Sequence, residues 1–370
     1  MSKRKIGIIT NSTPLFSSGL TQNAYFFYDV LTRAGFTCEL LSYEPEFKLK
    51  YNDIVVKQIT QNCDKFDCLD YKIIITVGKG ITKLMYDRFK LHKIVVIGFV
   101  CGNVLPMNLI SFISESSKAV ITKSQPIDNL WIIEAFAYMK TYLELTRGAP
   151  AKCVPHLWSA KLIENTTKDQ FKLDPACLHF TPKDGKKINI LILEPNLDFV
   201  KTALIPIMAA EKLNQLFPEL IDQVYVFNFP EKSESAKTII NNLIVRPKIR
   251  LFNSQHISAV LSHFNKMSSM PIFVSHQILT PWNYLYYELM YFGFPLVHNS
   301  PAFKEANYFY NEYDIDGCAT EIKKAFDSHN AAYPTQKRHN SVYLDSIDPE
   351  NEACINYWKA LVGEVSRDLV

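Results

Sequence analysis

A chain of 370 residues with 48% hydrophobic and 21% charged residues is too long for one ordinary core and too apolar to be disordered, which points to a folded protein of two domains. Forty Lys and Arg against 37 Asp and Glu leave a net charge of +3, too small to name a partner. No apolar run reaches the roughly 18–20 residues that a membrane span needs.

The basic start Met1–Lys5 leads into a short β-like run and then polar Thr10–Thr13. That lacks the long apolar stretch of a signal peptide, so a cytoplasmic location is expected. The first strand is Lys5–Thr10, an apolar run of the buried parallel type. A polar loop with Gly19 follows, then a helix over Leu20–Ala34 closed by Gly35. Further strands are predicted at Phe36–Leu41, Lys72–Val77, Lys93–Val100 and Lys118–Thr122, a helix over Trp131–Arg147, and a last short strand at Ala151–Val154. Residues 161–187 are polar and weakly patterned, ending in Pro182-Lys183-Asp184-Gly185, and read as a linker.

The pattern then restarts at Ile188–Leu193, with a helix over Phe199–Leu216 and strands at Gln223–Phe227, Ile249–Phe252, Pro271–Ser275 and Phe294–His298. Strands alternating with helices imply a doubly wound parallel sheet, here twice. The expected division is 1–160, a linker at 161–187, a second domain at 188–348, and a helix in 349–370 that packs on the second domain or returns to the first. The eight cysteines are scattered; only Cys63 and Cys68 are close, at a spacing that suits neither a redox pair nor zinc. They read as reduced, mostly buried thiols. Residues 1–150 hold 18 Lys and Arg against 13 Asp and Glu, or +5, and the remainder −2. A mildly basic first half admits a polyanionic partner.

Ligands of such sheets bind beyond the carboxyl ends of the strands. The first candidate is therefore the loop carrying Ser18, Gly19, Leu20 and Asn23, where a glycine at a helix entry lets backbone N–H groups approach an anion. A turn needing glycine for conformation alone is the alternative. It is not GxGxxG, which argues against a dinucleotide. The second candidate is Tyr287–Val297, where Glu288 begins a helical segment that Gly293 closes and Pro295 opens a strand. A carboxylate there can accept two hydrogen bonds from a ribose diol.

The spacing Glu288-x4-Gly293-x-Pro295 resembles the retaining, sucrose-synthase-like branch of the GT-B glycosyltransferases. The segments Ser18–Asn23, Pro155–Trp158 and Pro295–Pro301 are similar to a bacterial and viral group of the same fold. The resemblance implies an α/β protein with two Rossmann-like domains facing a central cleft and Glu288 on the donor ribose. It places Thr280, Asn283, His276, His298 and Asn299 around the donor, His156 in the cleft, and Lys201 and Arg250 on the departing diphosphate. One departure stands out: the branch carries a second Glu eight positions before the first, and here that position is Thr280. Asp314-Ile315-Asp316 mimics a metal-binding pair but reads as a helix cap.

The implied activity is sugar transfer from a nucleotide-diphosphate sugar, with a UDP-sugar as expected co-substrate, no metal and no tightly bound cofactor. The acceptor hydroxyl belongs to a surface glycan or to a hydroxylated base of phage-type DNA, and a monomer or weak dimer is expected. The general base and the stereochemical outcome stay open. Alternatives are a sugar-nucleotide epimerase, which needs more carboxylates than these loops carry, and a non-catalytic binding protein, which Thr280 makes reasonable.

Overall fold

A computed structural model describes residues 5–11, 16, 19–45, 47–48, 54–59, 68–113, 126–196 and 199–367. Ser18, Cys63 and the strand expected at 118–122 lie outside them. The chain divides into two compact units, one of residues 1–159 with 344–370 and one of residues 160–343.

The first unit is built on β1 (Lys5–Ile9), β2 (Cys38–Ser42), β3 (Phe47–Lys48), β4 (Val55–Gln58), β5 (Tyr71–Val77), β6 (Val95–Val100), β7 (Asn129–Ile133) and β8 (Ala151–Val154). Their order in the sheet is β3-β4-β2-β1-β5-β6-β7-β8. Only the edge strand β3 runs antiparallel. The order reverses between β1 and β5, so the loops after those strands diverge and leave a crevice at the carboxyl edge. Helices α1 (Gly19–Arg33), α2 (Lys83–Leu91), α3 (Val104–Ile113) and α4 (Lys140–Arg147) supply the connections.

The helix expected from Trp131 onward begins later. Leu130–Ile133 is a fully buried strand between β6 and β8, followed by a 3-10 turn over Glu134–Met139 and only then by α4. A short apolar run has no period of its own, so burial between two strands decides its state.

The second unit carries β9 (Ile188–Ile192), β10 (Ile221–Phe227), β11 (Ile249–Phe252), β12 (Met270–Ser275), β13 (Leu296–His298) and β14 (Tyr308–Phe309), in the order β11-β10-β9-β12-β13-β14. Every pairing is parallel, with the switch between β9 and β12. Its helices are α5 (Ala160–Phe171), α6 (Leu204–Leu216), α7 (Glu234–Asn241), α8 (Ile257–Phe264), α9 (Tyr284–Phe292) and the long α10 (Ile315–Ser346).

Residues 161–187 differ from the linker expected of them. They hold α5 and a 3-10 turn at Pro175–Leu178. They are also tied into the unit by Phe180 N–H donating to Phe292 O (2.8 Å) and the Asn265 amide to His179 O (2.6 Å). Polar composition marks a helix with one wet face here, not a free segment.

The final helix, α11 (Glu352–Arg367), belongs to the first unit. Trp358 is fully buried, its ring 4.9 Å from Phe27 of α1 and 5.7 Å from Trp131 of β7. An indole of that size, packed edge-on against two aromatic rings, anchors α11 to the sheet-covering layer. With the acidic 344–370 segment counted where it packs, the first unit has 21 Lys and Arg against 19 Asp and Glu, or +2. The second unit has 19 against 18, or +1.

Candidate functional site

The carboxyl edge of the second unit gathers three loops, after β9, β12 and β13. The first presents Glu194 two residues after the end of the fully buried strand β9. Its carboxyl is 1% exposed and accepts from the Ser275 hydroxyl, the His276 N–H (3.1 Å) and the Gln277 amide (3.1 and 2.9 Å). Burial lifts its pKa to about 7, and the hydrogen bonds and the Lys201 charge only partly offset that.

Lys201 lies beside this cluster, in an isolated antiparallel bridge with Gln277, and Ile278 N–H donates to Val200 O (2.8 Å). The loop after β13 closes the set. Asn299 accepts from Gln277 N–H (2.8 Å) and donates to Gln277 O (2.9 Å). Residues 275–278 are thus held by Glu194 and Val200 from the loop after β9 and by Asn299 from the loop after β13, which fixes the segment without regular structure.

Asn283 caps α9, its side-chain oxygen taking the Leu285 N–H (3.2 Å). Gly293 ends the helix at φ +77°, where a Cβ would come within 2.2 Å of the Tyr333 ring. Glycine is required there twice over, by conformation and by space. Glu288 therefore sits in the second turn of α9, a little deeper than the helix start expected for it.

The Glu288 side chain is 6% exposed, and no hydrogen bond or ion pair from a described residue reaches its carboxyl. Burial alone pushes its pKa to about 7. Two further orphans lie in the same stretch: His276 Nε2 and Gln277 Oε1, both buried and unpartnered. The other ring nitrogen, His276 Nδ1, meets the Tyr310 hydroxyl at 2.9 Å, and that hydroxyl donates to Ser275 O (3.2 Å). Nδ1 therefore carries the proton and Nε2 is a buried acceptor. Burial holds this ring at a pKa of about 4, so it is neutral near pH 7. Buried polar atoms are nearly always paired in native proteins, so the unpartnered His276 Nε2 and Gln277 Oε1 stand out in the loop that leads into α9.

Other expected residues serve the fold. His298 is fully buried with both ring nitrogens engaged: Nε2 donates to Ala306 O (2.8 Å) and Nδ1 accepts from Ser300 N–H (3.1 Å), leaving nothing for a phosphate. Arg250 is the second residue of β11, and its guanidinium turns back to Pro247 O (2.8 Å) and Ile249 O (3.1 Å), toward the strand's amino end. It is not at the carboxyl edge. The Thr280 hydroxyl donates to Ile278 O (3.3 Å) within its own loop. Asp314 accepts from Gly317 N–H (2.8 Å) as a cap on α10, and Asp316 pairs with Lys212 (2.9 Å).

In the first unit, Gly19 opens α1, Asn23 donates to Gly19 O (2.7 Å), and Leu20 presses on Gly78. His156 is buried after β8, which depresses its pKa strongly. Among the described residues no group of three His, Cys, Asp or Glu could hold a metal, and no helix is long and apolar enough to cross a membrane. Glu194 and Gln277 were not singled out from sequence; the available signal was a carboxylate just past the mainly apolar run Ile188–Leu193.

Three solved structures show what this architecture resembles. Sucrose-phosphate synthase from Thermosynechococcus elongatus superposes with a TM-score of 0.62 at 11% identity over 99% of both chains. Anabaena HepE in complex with UDP-glucose gives 0.59 at 10% identity, over 98% of this chain and 99% of that one. An α,α-trehalose-phosphate synthase from Burkholderia xenovorans in complex with glucose-6-phosphate gives 0.58 at 13%, over 99% of both. At such identities the likeness is one of fold, and the fold is GT-B. No curated protein matches in sequence. The family described as "Protein of unknown function (DUF2827)" matches residues 5–362, and the chain belongs to that family.

Proposed function

We propose that the protein transfers a sugar from a nucleotide-diphosphate sugar, a UDP-sugar in the first instance, to a hydroxyl acceptor. The carrying observation is Glu288: a carboxyl buried without a partner at the ligand-binding edge of a GT-B unit. With its pKa raised to about 7 by burial, this carboxyl is half protonated near pH 7. A ribose diol donating two hydrogen bonds favours the charged form and draws the pKa down, so the site and the ligand repair one another.

In the loop that leads into α9, His276 Nε2 and Gln277 Oε1 are acceptors suited to sugar or ribose hydroxyls. Lys201 supplies positive charge next to the loop that follows β9, where it can oppose the charge growing on a departing diphosphate. With Thr280 in place of a carboxylate, no anionic contact to the transferred sugar comes from that position. The bound UDP-glucose of the Anabaena protein, which shares the fold, supports the choice of donor.

The acceptor we favour is a saccharide. A DNA acceptor calls for a basic face, and the +5 of residues 1–150 falls to +2 over the whole first unit, 1–159 with 344–370. The test is to incubate the protein with UDP-glucose, UDP-galactose and UDP-N-acetylglucosamine, each with and without saccharide acceptors, and to follow UDP release. Acceptor-stimulated release from at least one donor is expected. No release from any, together with no binding of UDP, would overturn the reading.

A further inference from the structure

The first unit contains a cavity of about 280 Å³ at the carboxyl edge of β5 and β6. That is the small end of the range for ligand pockets, roughly 300 Å³ and upward, and is fit for a single sugar ring and not for a chain of them. Four glycines are among its lining residues. Gly78 and Gly80 come from the loop after β5, and Gly102 and Asn103 from the turn into α3. The strand ends Thr76 and Gly98 complete it.

Gly78 is obligatory: its φ is +77°, and a Cβ would stand 2.5 Å from Leu20. Glycine here brings the main chain close to whatever fills the space. Leu20 and Ile127 form apolar wall. The N-terminal turn of α3 adds little donation, since Val104 N–H bonds Gly102 O (2.9 Å), Leu105 N–H points to Met139 Sδ (3.3 Å) and residue 106 is proline.

What distinguishes the cavity is charge. Among its described lining residues the charged side chains are Lys79 and Arg147, and none is a carboxylate. Arg147 ends α4 and is half-buried; burial lowers its pKa, and the Tyr142 phenol is the group that offsets this. A guanidinium stays cationic through such a shift. Lys79 is exposed and only loosely paired, 3.7 Å from Glu44 outside the cavity. Two cations and no carboxylate among the described lining residues of a small space with glycines and apolar side chains make a receptor for a compact anion that also carries hydroxyls.

We propose that this cavity binds a sugar phosphate, its phosphate between Lys79 and Arg147 and its ring against the Gly78–Gly80 and Gly102–Asn103 backbone. Its role as the acceptor pocket rests on the sugar-transfer reading above; the binding itself does not.

The probe is glucose 6-phosphate, titrated calorimetrically into the full chain with and without saturating UDP, beside glucose and inorganic phosphate. Saturable binding of glucose 6-phosphate is expected, about tenfold tighter than glucose and tighter than phosphate alone. Lys79→Met and Arg147→Gln should each weaken it about tenfold while leaving UDP affinity unchanged. Lys79 is exposed, so its variant tests the charge even if the Arg147 variant fails to fold.

Glucose 6-phosphate failing to saturate in both conditions would overturn the proposal. So would binding indifferent to Lys79→Met, or phosphate binding as tightly as the ester, which would leave an ion site only. Normal glucose 6-phosphate binding with no UDP binding would uphold this cavity and sink the sugar-transfer reading instead.

Discussion

Two carboxyls on the same edge of the second unit are equally buried and equally perturbed, and they do opposite things. Glu194 and Glu288 are 1% and 6% exposed, and burial carries each to a pKa of about 7. Glu194 gathers donors from Ser275, His276 and Gln277 and ties the β9 and β12 loops together. Glu288 gathers none. A raised pKa therefore does not by itself separate architecture from function. The hydrogen-bond inventory does, because a satisfied buried acid stabilises the loop while an unsatisfied one costs free energy until something binds.

The largest effect that would sharpen this contrast is on folding. Glu194→Ala strips the acceptor from three buried donors at once and should lower stability by about 3–5 kcal/mol. Chemical denaturation reads this, and a loss below 1 kcal/mol would show the network to be dispensable. Glu288→Gln should do the reverse. It removes a buried ionisable group that nothing pairs, so unfolding stability above pH 7 should hold or rise. Nucleotide affinity should fall by ~1.5–3 kcal/mol, the contribution of hydrogen bonds to a charged acceptor.

The pH dependence of stability comes next. Both acids have folded-state pKa values above the unfolded 4.5, so the folded chain keeps protons that the unfolded chain has released. Their contribution is complete below pH 4.5 and is lost as pH rises toward and through 7, at up to about 1.4 kcal/mol per pH unit for each proton. Denaturation midpoints measured from pH 4.5 to 8 should show this decline in the ligand-free protein, and a shallower one in Glu288→Gln. An identical slope in the two would mean that Glu288 is already ionised in the ligand-free protein. The smallest effect is a control: Arg250→Ala should change nucleotide affinity by less than about 0.5 kcal/mol, since its guanidinium is bonded to the opposite end of β11.

Much of this was legible in the sequence, and the reason is locality. Lys5–Thr10 and Ile188–Leu193 announce buried strands by composition alone, and Gly293 announces a helix end because few residues adopt its backbone conformation. Glu288 was reached through its spacing from Gly293 and Pro295. Contacts between distant residues were not legible. Gln277 and Glu194 are 83 positions apart, and nothing in either neighbourhood declares the other. Arg250 was misplaced because its position near a strand says nothing of which end its side chain reaches. The return of α11 to the first unit depends on Trp358 finding Phe27 and Trp131, a choice made by packing. That return also cancels much of the charge asymmetry read along the chain, which holds in sequence order and not in space.

Recognition of a nucleotide's ribose by Glu288 is tested most directly by calorimetric titration of UDP into the wild-type protein and Glu288→Gln at pH 6 and pH 8. Wild-type affinity should be higher at pH 8, where the carboxyl is ionised without cost. The variant should bind at least about tenfold more weakly at pH 8 and lose most of the pH dependence. Equal UDP affinity in a folded Glu288→Gln, at both pH values, would contradict the account.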